Sequence, residues 1–296
     1  MSRADQSEAG YAWLEGAIDL HVHCAPSFFP RWGDGLDVAR SCEQAGMAGV
    51  LLKAHEGSTV EAAAVLDRLC PSLDVLGGVA LNRYVGGVNP AAAEAALRLG
   101  GRCIWFPTID ADAHARTFGS TGTFPHQRGG IESQTGIRLL DNGGKLVDAA
   151  HEVLTLAAEH DALVATGHLE GSEIVALLAA ARKAGVQRFL VQHPFFTVPG
   201  LGADELDPLV RQGAVVELTS LSVSPLSQTS TVEEAAETLS RLGGNAVAVS
   251  SDAGQAHNPP PPEALRSFAQ ALHERGVAET DLTKALRDTP SRLISR

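Results

Sequence analysis

The stretch "AIDLHVHCAP", residues 17–26, is an apolar run that ends in two histidines one residue apart. In an extended strand, side chains two residues apart point to the same side, so His21 and His23 project together from the end of such a strand. Eleven histidines are distributed over the chain, and the meaning of this pair depends on what the rest of the sequence places beside it.

Working outward, short apolar runs of strand type recur along the whole chain, separated by alanine- and leucine-rich stretches of helical length. They are residues 17–22, 49–54, 75–81, 102–108, 162–167, 188–193, 214–219 and 246–251. Amphipathic segments lie between and after them, around residues 36–45, 60–69, 91–99, 146–159, 173–183, 203–211, 232–242 and 263–274. Many stop at a glycine, as at Gly46, Gly100, Gly185, Gly213, Gly243 and Gly276, the residue that tolerates a left-handed helix stop. Eight strands alternating with eight helices is the count of an α/β (β/α)8 TIM barrel. An open doubly wound sheet is the alternative, but it usually carries a glycine-rich phosphate turn after its first strand, and "HVHCAP" is not one. One connection breaks the rhythm: the 36 residues 109–144, with seven glycines and six Ser/Thr, read as a long loop insertion after strand four, with "GIRLLDNGGKL" able to form a small hairpin. The expected organisation is one barrel domain over residues 1–296, with an N-terminal extension at 1–15 and an active-site loop at 109–144.

The composition supports a large core: 44% of the 296 residues are apolar and 20% charged, as in ordinary globular proteins. A net charge of −12 and the absence of any Lys/Arg run argue against a nucleic-acid partner, whose footprint is basic. No window reaches eighteen uninterrupted apolar residues and the start, "MSRADQSEAG", is polar. The expectation is therefore a cytoplasmic protein acting on a small molecule, without a membrane partner, with homo-oligomerisation left open. Cys24, Cys42, Cys70 and Cys103 are scattered without a CxxC, so they read as small buried side chains. Cys24 stands apart because it follows the histidine pair.

In a (β/α)8 barrel the active site is built on the C-terminal ends of the strands. The first strand ends in His21 and His23, the second in Lys53, His55 and Glu56, the fifth in His168, the sixth in His193 and the eighth in Asp252. Neutral imidazoles and a carboxylate held on rigid strands make a nitrogen and oxygen site suited to zinc, manganese or iron.

An HxH on strand one, a histidine ending each of strands five and six, and an aspartate ending strand eight together resemble the amidohydrolase superfamily. "DTPSRLI" near the C-terminus is similar to its closing helix turn. The resemblance implies one or two divalent metal ions, zinc foremost: His21, His23 and Asp252 holding one, and His168 with His193 holding a second or assisting the substrate. One departure is clear. Two-metal members bridge their ions with a carboxylated lysine or a glutamate from strand four, where "WFPT" offers none. Lys53, one of four lysines, shares inward parity with His55 and closes an apolar run, where a buried ammonium is costly unless paired or neutralised. It reads as a carboxylated bridging ligand, a charged substrate clamp or a snorkelling side chain. His55 adds a secondary similarity to the polymerase and histidinol phosphatase family.

In such a site Asp252 is the expected proton acceptor and donor; a helix N-cap at "SSDAG" is its alternative. Asn82, Arg83 and Tyr84, after strand three, and Thr108, after strand four, are candidates to bind substrate. Arg83 could grip a carboxylate there. Asp110, Asp112, His114, His126 and Arg128 could close over it. Glu217 has inward parity and, with Glu56, is expected to support a histidine or Lys53. The leading function is hydrolysis of an amide, cyclic amide or lactone, with phosphate-ester hydrolysis and metal-dependent decarboxylation as alternatives.

Overall fold

The apolar runs form parallel strands, and most are followed by a helix. The computed structural model describes residues 12–124 and 127–295. In chain order the elements are β1 (Ile18–Val22), α1 (Gly35–Gln44), β2 (Gly49–Leu52), α2 (Val60–Leu69), β3 (Asp74–Leu76), β4 (Gly78–Ala80), α3 (Pro90–Arg98) and β5 (Cys103–Trp105). They continue with α4 (Asp112–Phe118), α5 (Asp148–Glu159), β6 (Leu163–Ala165), α6 (Gly171–Ala184), β7 (Phe189–Val191), α7 (Ala203–Arg211), β8 (Val215–Thr219), α8 (Val232–Leu242), β9 (Val247–Ser250) and α9 (Pro261–Glu274). No helix among the described residues is long and apolar enough to cross a membrane.

The strands pair in the orders β1-β2-β3 and β9-β8-β7-β6-β5-β4, all in parallel. β3 and β4 are two parts of one run interrupted at Gly77, the first pairing with β2 and the second with β5. At the other edges, Val22 bridges Ala253 in parallel, the His23 amide donates to the Ala253 carbonyl at 2.8 Å, and the Ser251 amide donates to Asp19 Oδ1 at 3.1 Å. These contacts put the end of β1 beside the end of β9.

Parallel strands are buried on both faces and read as continuous apolar runs. Leu51, Ala80, Trp105, Ala165, Leu190 and Ala248 pack against one another, closed below by Leu293 and Ile294 of the final helical turn. Val50, Val79, Ile104, Val164, Val191 and Val249 face the helices. β1 departs from regular pairing: its register with β2 shifts between Asp19 and Val22. Such a bulge re-aims side chains and is common beside active sites.

The stretch 109–144 is more ordered than a loop. It holds α4, which stops at Gly119 with φ +87°, and a short ladder pairing Thr123 with Arg128 and Phe124 with Gln127. At seven residues, α4 is too short to show a helical period in the sequence. The small hairpin expected from "GIRLLDNGGKL" is present as a bridge between Leu140 and Leu146, with the Asp141 amide donating to the Lys145 carbonyl at 2.8 Å.

Candidate metal centre and its cavity

His21 and His23 leave β1 on the same side and meet one carboxylate oxygen. Asp252 Oδ1 lies 3.0 Å from His21 Nε2 and 3.3 Å from His23 Nε2, and all three residues are buried. One ligand atom from each lies within 4.8 Å of the others. The backbone is bent to make this meeting. Asp252 adopts φ +51° and His193 φ +25°, a region that costs roughly 1–3 kcal/mol for a non-glycine residue and that clusters at functional sites. Gly254 has φ +121°, and a Cβ there would stand 1.9 Å from the His23 carbonyl oxygen, so only glycine lets the two chain segments touch. Gly167, with φ +62°, is similarly required before His168, because a Cβ would lie 2.3 Å from the Phe106 carbonyl oxygen.

The contacts of His21 are contradictory for a protein left to itself. Its Nε2 faces Asp252 Oδ1, an acceptor, and Lys53 Nζ, a donor at 3.1 Å. Its Nδ1 faces Glu217 Oε2, an acceptor at 3.2 Å, and the Gln192 amide nitrogen, a donor at 3.1 Å. Burial above all, and then the Lys53 charge, holds the imidazole pKa well below its usual value, so His21 is neutral and each nitrogen can either donate or accept. With Nδ1–H donated to Glu217, the Nε2 lone pair and Asp252 Oδ1 converge on the same region. Two negative ends meeting there fit a cation, and Glu217 behind the ring is the carboxylate that fixes a ligating histidine. His23 Nδ1 and Glu217 Oε1 are buried with no hydrogen-bond partner.

Around this pair the other expected residues gather. His55 stacks at 4.8 Å from His23 by ring centroids, and its Nδ1 is 2.9 Å from Thr108 Oγ1. His168 lies 5.1 Å from His193, and His193 lies 5.7 Å from His21. Burial first, with neighbouring positive charge, lowers the pKa of His23, His55, His168 and His193 well below normal. Lys53 is fully buried, and burial pulls its pKa down to about 8 against the opposing pull of Asp252 and Glu217. Its ammonium also donates to Gln192 Oε1 at 3.3 Å. Burial drives the Asp252 carboxyl well above the usual range, with Lys53 acting in the opposite sense. No helix starts at Asp252, since α9 begins at Pro261, so the N-cap alternative is ruled out.

Several residues stand elsewhere than expected. Arg83 does not line the cavity: its Nε donates to Asp110 Oδ1 at 2.9 Å, and its Nη2 to the Thr135 carbonyl at 3.0 Å. Tyr84 Oη accepts from the Ile131 amide at 3.0 Å. Asn82 is buried beneath the histidines, donating to Thr108 Oγ1 at 2.7 Å and to the His55 carbonyl at 2.9 Å. Asn82 and Thr108 therefore position His55, and neither reaches the cavity lining. Glu56 Oε1 accepts from Ser27 Oγ and the Phe28 amide, with no bond to a site histidine. Asp112 pairs with Arg116 at 3.0 Å on the surface of α4. Burial pushes the Cys24 thiol up to about 11, which makes it a poor nucleophile. His126 and the side chain of Arg128 lie outside the described residues.

His114, expected in a surface loop, is buried. Its Nδ1 is 2.9 Å from His168 Nδ1 and its Nε2 is 2.7 Å from the Thr123 carbonyl oxygen. A carbonyl only accepts, so His114 carries its proton on Nε2. Burial lowers its pKa to about 4, leaving Nδ1 as an acceptor near neutral pH. His168 must then donate from Nδ1, and its Nε2 carries the lone pair. Three further residues were not singled out in the sequence. Asp19 shares the parity of the HxH pair, a signal that was readable; Gln192 precedes His193; Arg31 follows β1 with no local pattern to mark it.

Above the histidines opens a cavity of about 700 Å³, lined in part by Phe29, Arg31, Phe118, Phe124, Phe196 and Leu226. The volume suits a small molecule.

Fold and site together define an α/β protein of parallel strands with a buried histidine and carboxylate cluster under a ligand-sized cavity. The chain belongs to the family described as "Family of unknown function (DUF6282)", whose profile matches residues 16–217. No curated protein matches it in sequence. Among solved structures it resembles the probable dipeptidase PvdM from Pseudomonas aeruginosa, with a TM-score of 0.67 and 11% identity over 99% of this chain and 98% of that one. An amidohydrolase from the same organism gives a TM-score of 0.59 at 12% identity over 97% of both chains. The phosphotriesterase homology protein of Escherichia coli, solved with phosphate in its active site, gives 0.55 at 14% identity over 95% of this chain and 99% of that one. These neighbours are of amidohydrolase and phosphotriesterase type with TIM-barrel-like folds, and at such identities the likeness concerns the fold.

Proposed function

We propose that the protein is a metal-dependent hydrolase on a closed (β/α)8 barrel, a single domain that cleaves an amide, cyclic amide or lactone bond of a small polar molecule. The observation that carries this reading is the convergence of His21 Nε2, His23 Nε2 and Asp252 Oδ1 within 4.8 Å. The edge contacts between β1 and β9, and the shared run of β3 and β4, support closure of the barrel. The three converging residues would hold one divalent cation, zinc first and manganese or iron as alternatives, with His168, His193 and His55 available to a second ion or to substrate. A cation bound there would lower the pKa of water and polarise the bond under attack.

The chain's own residues do the rest. Glu217 accepts the Nδ1–H hydrogen bond of His21 and so keeps the Nε2 lone pair aimed at the centre. Asn82 and Thr108 orient His55, and His114 orients His168. Asp252 takes the proton of the attacking water and returns it to the leaving group. Lys53 is held by Gln192 as an ammonium; carboxylated, it would add an anionic ligand beside His21.

Elemental analysis of the purified protein tests the reading. One or two transition metals per chain are expected, with less metal in His21→Ala and in His168→Ala. Unchanged stoichiometry in both variants would overturn it. Screens of amides, lactones and phosphate esters, with detection of released carbon dioxide, then separate hydrolase from phosphoesterase and decarboxylase.

A further inference from the structure

The cavity lining contains a cation, Arg31, that has no carboxylate partner among the described residues. Arg31 sits on a fixed backbone: it bridges Gln255 in antiparallel fashion, and the next residue, Trp32, donates its amide to the Gly254 carbonyl at 2.8 Å. Its Nε is buried without a hydrogen-bond partner, and among the described residues its guanidinium makes no ion pair. Burial lowers the Arg31 pKa, and the two carboxylates whose charge acts on it most strongly in the opposite direction are Glu56 and Asp252. Both are already engaged, Glu56 with Ser27 and Phe28 and Asp252 with the histidine pair. By contrast Arg83, Arg188 and Arg241 all have carboxylate partners. The Arg31 guanidinium lies over the face of Phe29, at 5.7 Å from the ring centroid.

That phenylalanine belongs to an aromatic wall that flanks the histidines. Phe29 lies 5.4 Å from Phe124, Phe124 lies 6.5 Å from Phe196, and Phe196 lies 5.4 Å from His193. The guanidinium, the aromatic face and the histidine cluster thus line one cavity, with Phe29 itself 6.0 Å from His55. A guanidinium fork matches the two oxygens of a carboxylate, and the buried Nε, which has no partner, gains one when such a ligand arrives.

We propose that this cavity recognises a small ring-containing carboxylate, its carboxylate held by Arg31 and its ring laid on the Phe29, Phe124 and Phe196 wall. The proposal names the substrate class of the hydrolase and rests on that reading for the bond that is cut, which is the one the bound molecule presents to the histidines. Arg31 takes the anion-gripping role that the sequence suggested for Arg83.

Direct binding of benzoate, benzamide and phenyl phosphate to the full-length protein tests it, by calorimetry or ligand-observed NMR, with metal content measured on the same samples. Benzoate is expected to bind the wild type and to bind Arg31→Gln at least tenfold more weakly, with Arg31→Lys between the two. Benzamide is expected to bind weakly and equally to all three. Phe124→Leu is expected to weaken benzoate and to leave acetate unchanged. Equal benzoate affinity in wild type and Arg31→Gln overturns the proposal, as does benzamide binding as tightly as benzoate. Phenyl phosphate binding more tightly than benzoate, with the same loss in Arg31→Gln, reassigns the site to phosphate esters. Benzoate binding that a chelator abolishes but Arg31→Gln does not would place the anion on the metal, against the proposal. Should Arg31→Gln fail to fold, Arg31→Lys decides on the same criteria. Arg31-dependent benzoate binding by a protein that holds no metal keeps this assignment and removes the hydrolase reading; metal without such binding does the reverse.

Discussion

Replacing His114 by Phe tests whether one buried imidazole sets the protonation of another. The two rings stack at 5.0 Å with an interplanar angle of 21°, so a phenyl ring of similar shape keeps the packing while removing both hydrogen bonds. His168 then loses the acceptor of its Nδ1 proton, and the Thr123 carbonyl loses its donor. A buried donor left unpaired costs about 1–3 kcal/mol, and a lost carbonyl bond adds roughly 1 kcal/mol. The expected destabilisation is about 2–4 kcal/mol by urea unfolding. The effect on the centre is separate from stability, because His168 is no longer fixed with its lone pair on Nε2. Loss of such an outer partner lowers metal affinity about ten- to a hundredfold, measurable by competition with a chromophoric chelator. His114→Asn, whose short amide can place an acceptor near the original Nδ1, should restore part of the affinity. Long-range ¹⁵N–¹H NMR of the histidine rings reads the tautomer itself. Wild-type His168 with its proton on Nε2, or a His114→Phe variant with unchanged metal affinity, would refute the assignment.

Acid should destabilise the metal-free protein early. His114 has its pKa lowered to about 4 from 6.5, so the stability due to its neutral burial is complete above about pH 6.5 and is lost as the pH falls toward 4, up to roughly 3 kcal/mol from this residue alone. The five site histidines shift in the same direction and outnumber the raised carboxylates Asp19, Glu217 and Asp252, which act oppositely, so urea midpoints after chelation should fall between pH 7 and 5; midpoints that rise over this range contradict burial of the histidines as neutral rings. Asp252→Asn should reduce turnover by about 10²–10⁴-fold while leaving benzoate binding in place, and near-normal turnover would remove Asp252 as the proton carrier. Gly254→Ala, which forces a Cβ to 1.9 Å from the His23 carbonyl oxygen, should lower the thermal midpoint and the metal content together, and an unaffected metal content would show that His23 is not held by this contact. If Lys53 is carboxylated, activity lost at low pH should return with added bicarbonate, and indifference to bicarbonate would leave it an ammonium.

Much of the strand framework was legible because parallel strands buried on both faces leave continuous apolar runs, as in "GVLL" and "VAVS". The histidines were legible because strand ends follow from those runs and imidazoles are rare enough to stand out. Partners made across the chain were not legible. Arg83 and Asp110 lie 27 residues apart, and nothing local told that they would satisfy each other and leave the cavity to Arg31. The seven-residue α4 was hidden for a different reason: it turns His114 inward through a helix too short for its period to be seen among glycines. The bulge in β1 was also invisible, since a register shift is decided by pairing and not by the strand's own residues.

The charges of the site bear on the proposed cation independently of its geometry. Asp19, Glu217 and Asp252 are all buried, with Lys53 the one lysine among them. Asp19 has been pushed up to about 7 by burial above all, and its Oδ2 has no partner, although its Oδ1 ties the His21 amide to the Ser251 amide. Glu217 is raised for the same reason. Lys53, with the Arg31 charge also acting on Asp252, cannot neutralise three ionised carboxylates, and a carboxylate buried without compensation protonates instead. Protonation, however, would take from Glu217 its role as acceptor for His21 and from Asp252 its capacity to accept a proton from water. The arrangement keeps all its carboxylates useful only when further positive charge enters, and the convergence of His21, His23 and Asp252 is where the proposed cation would supply it.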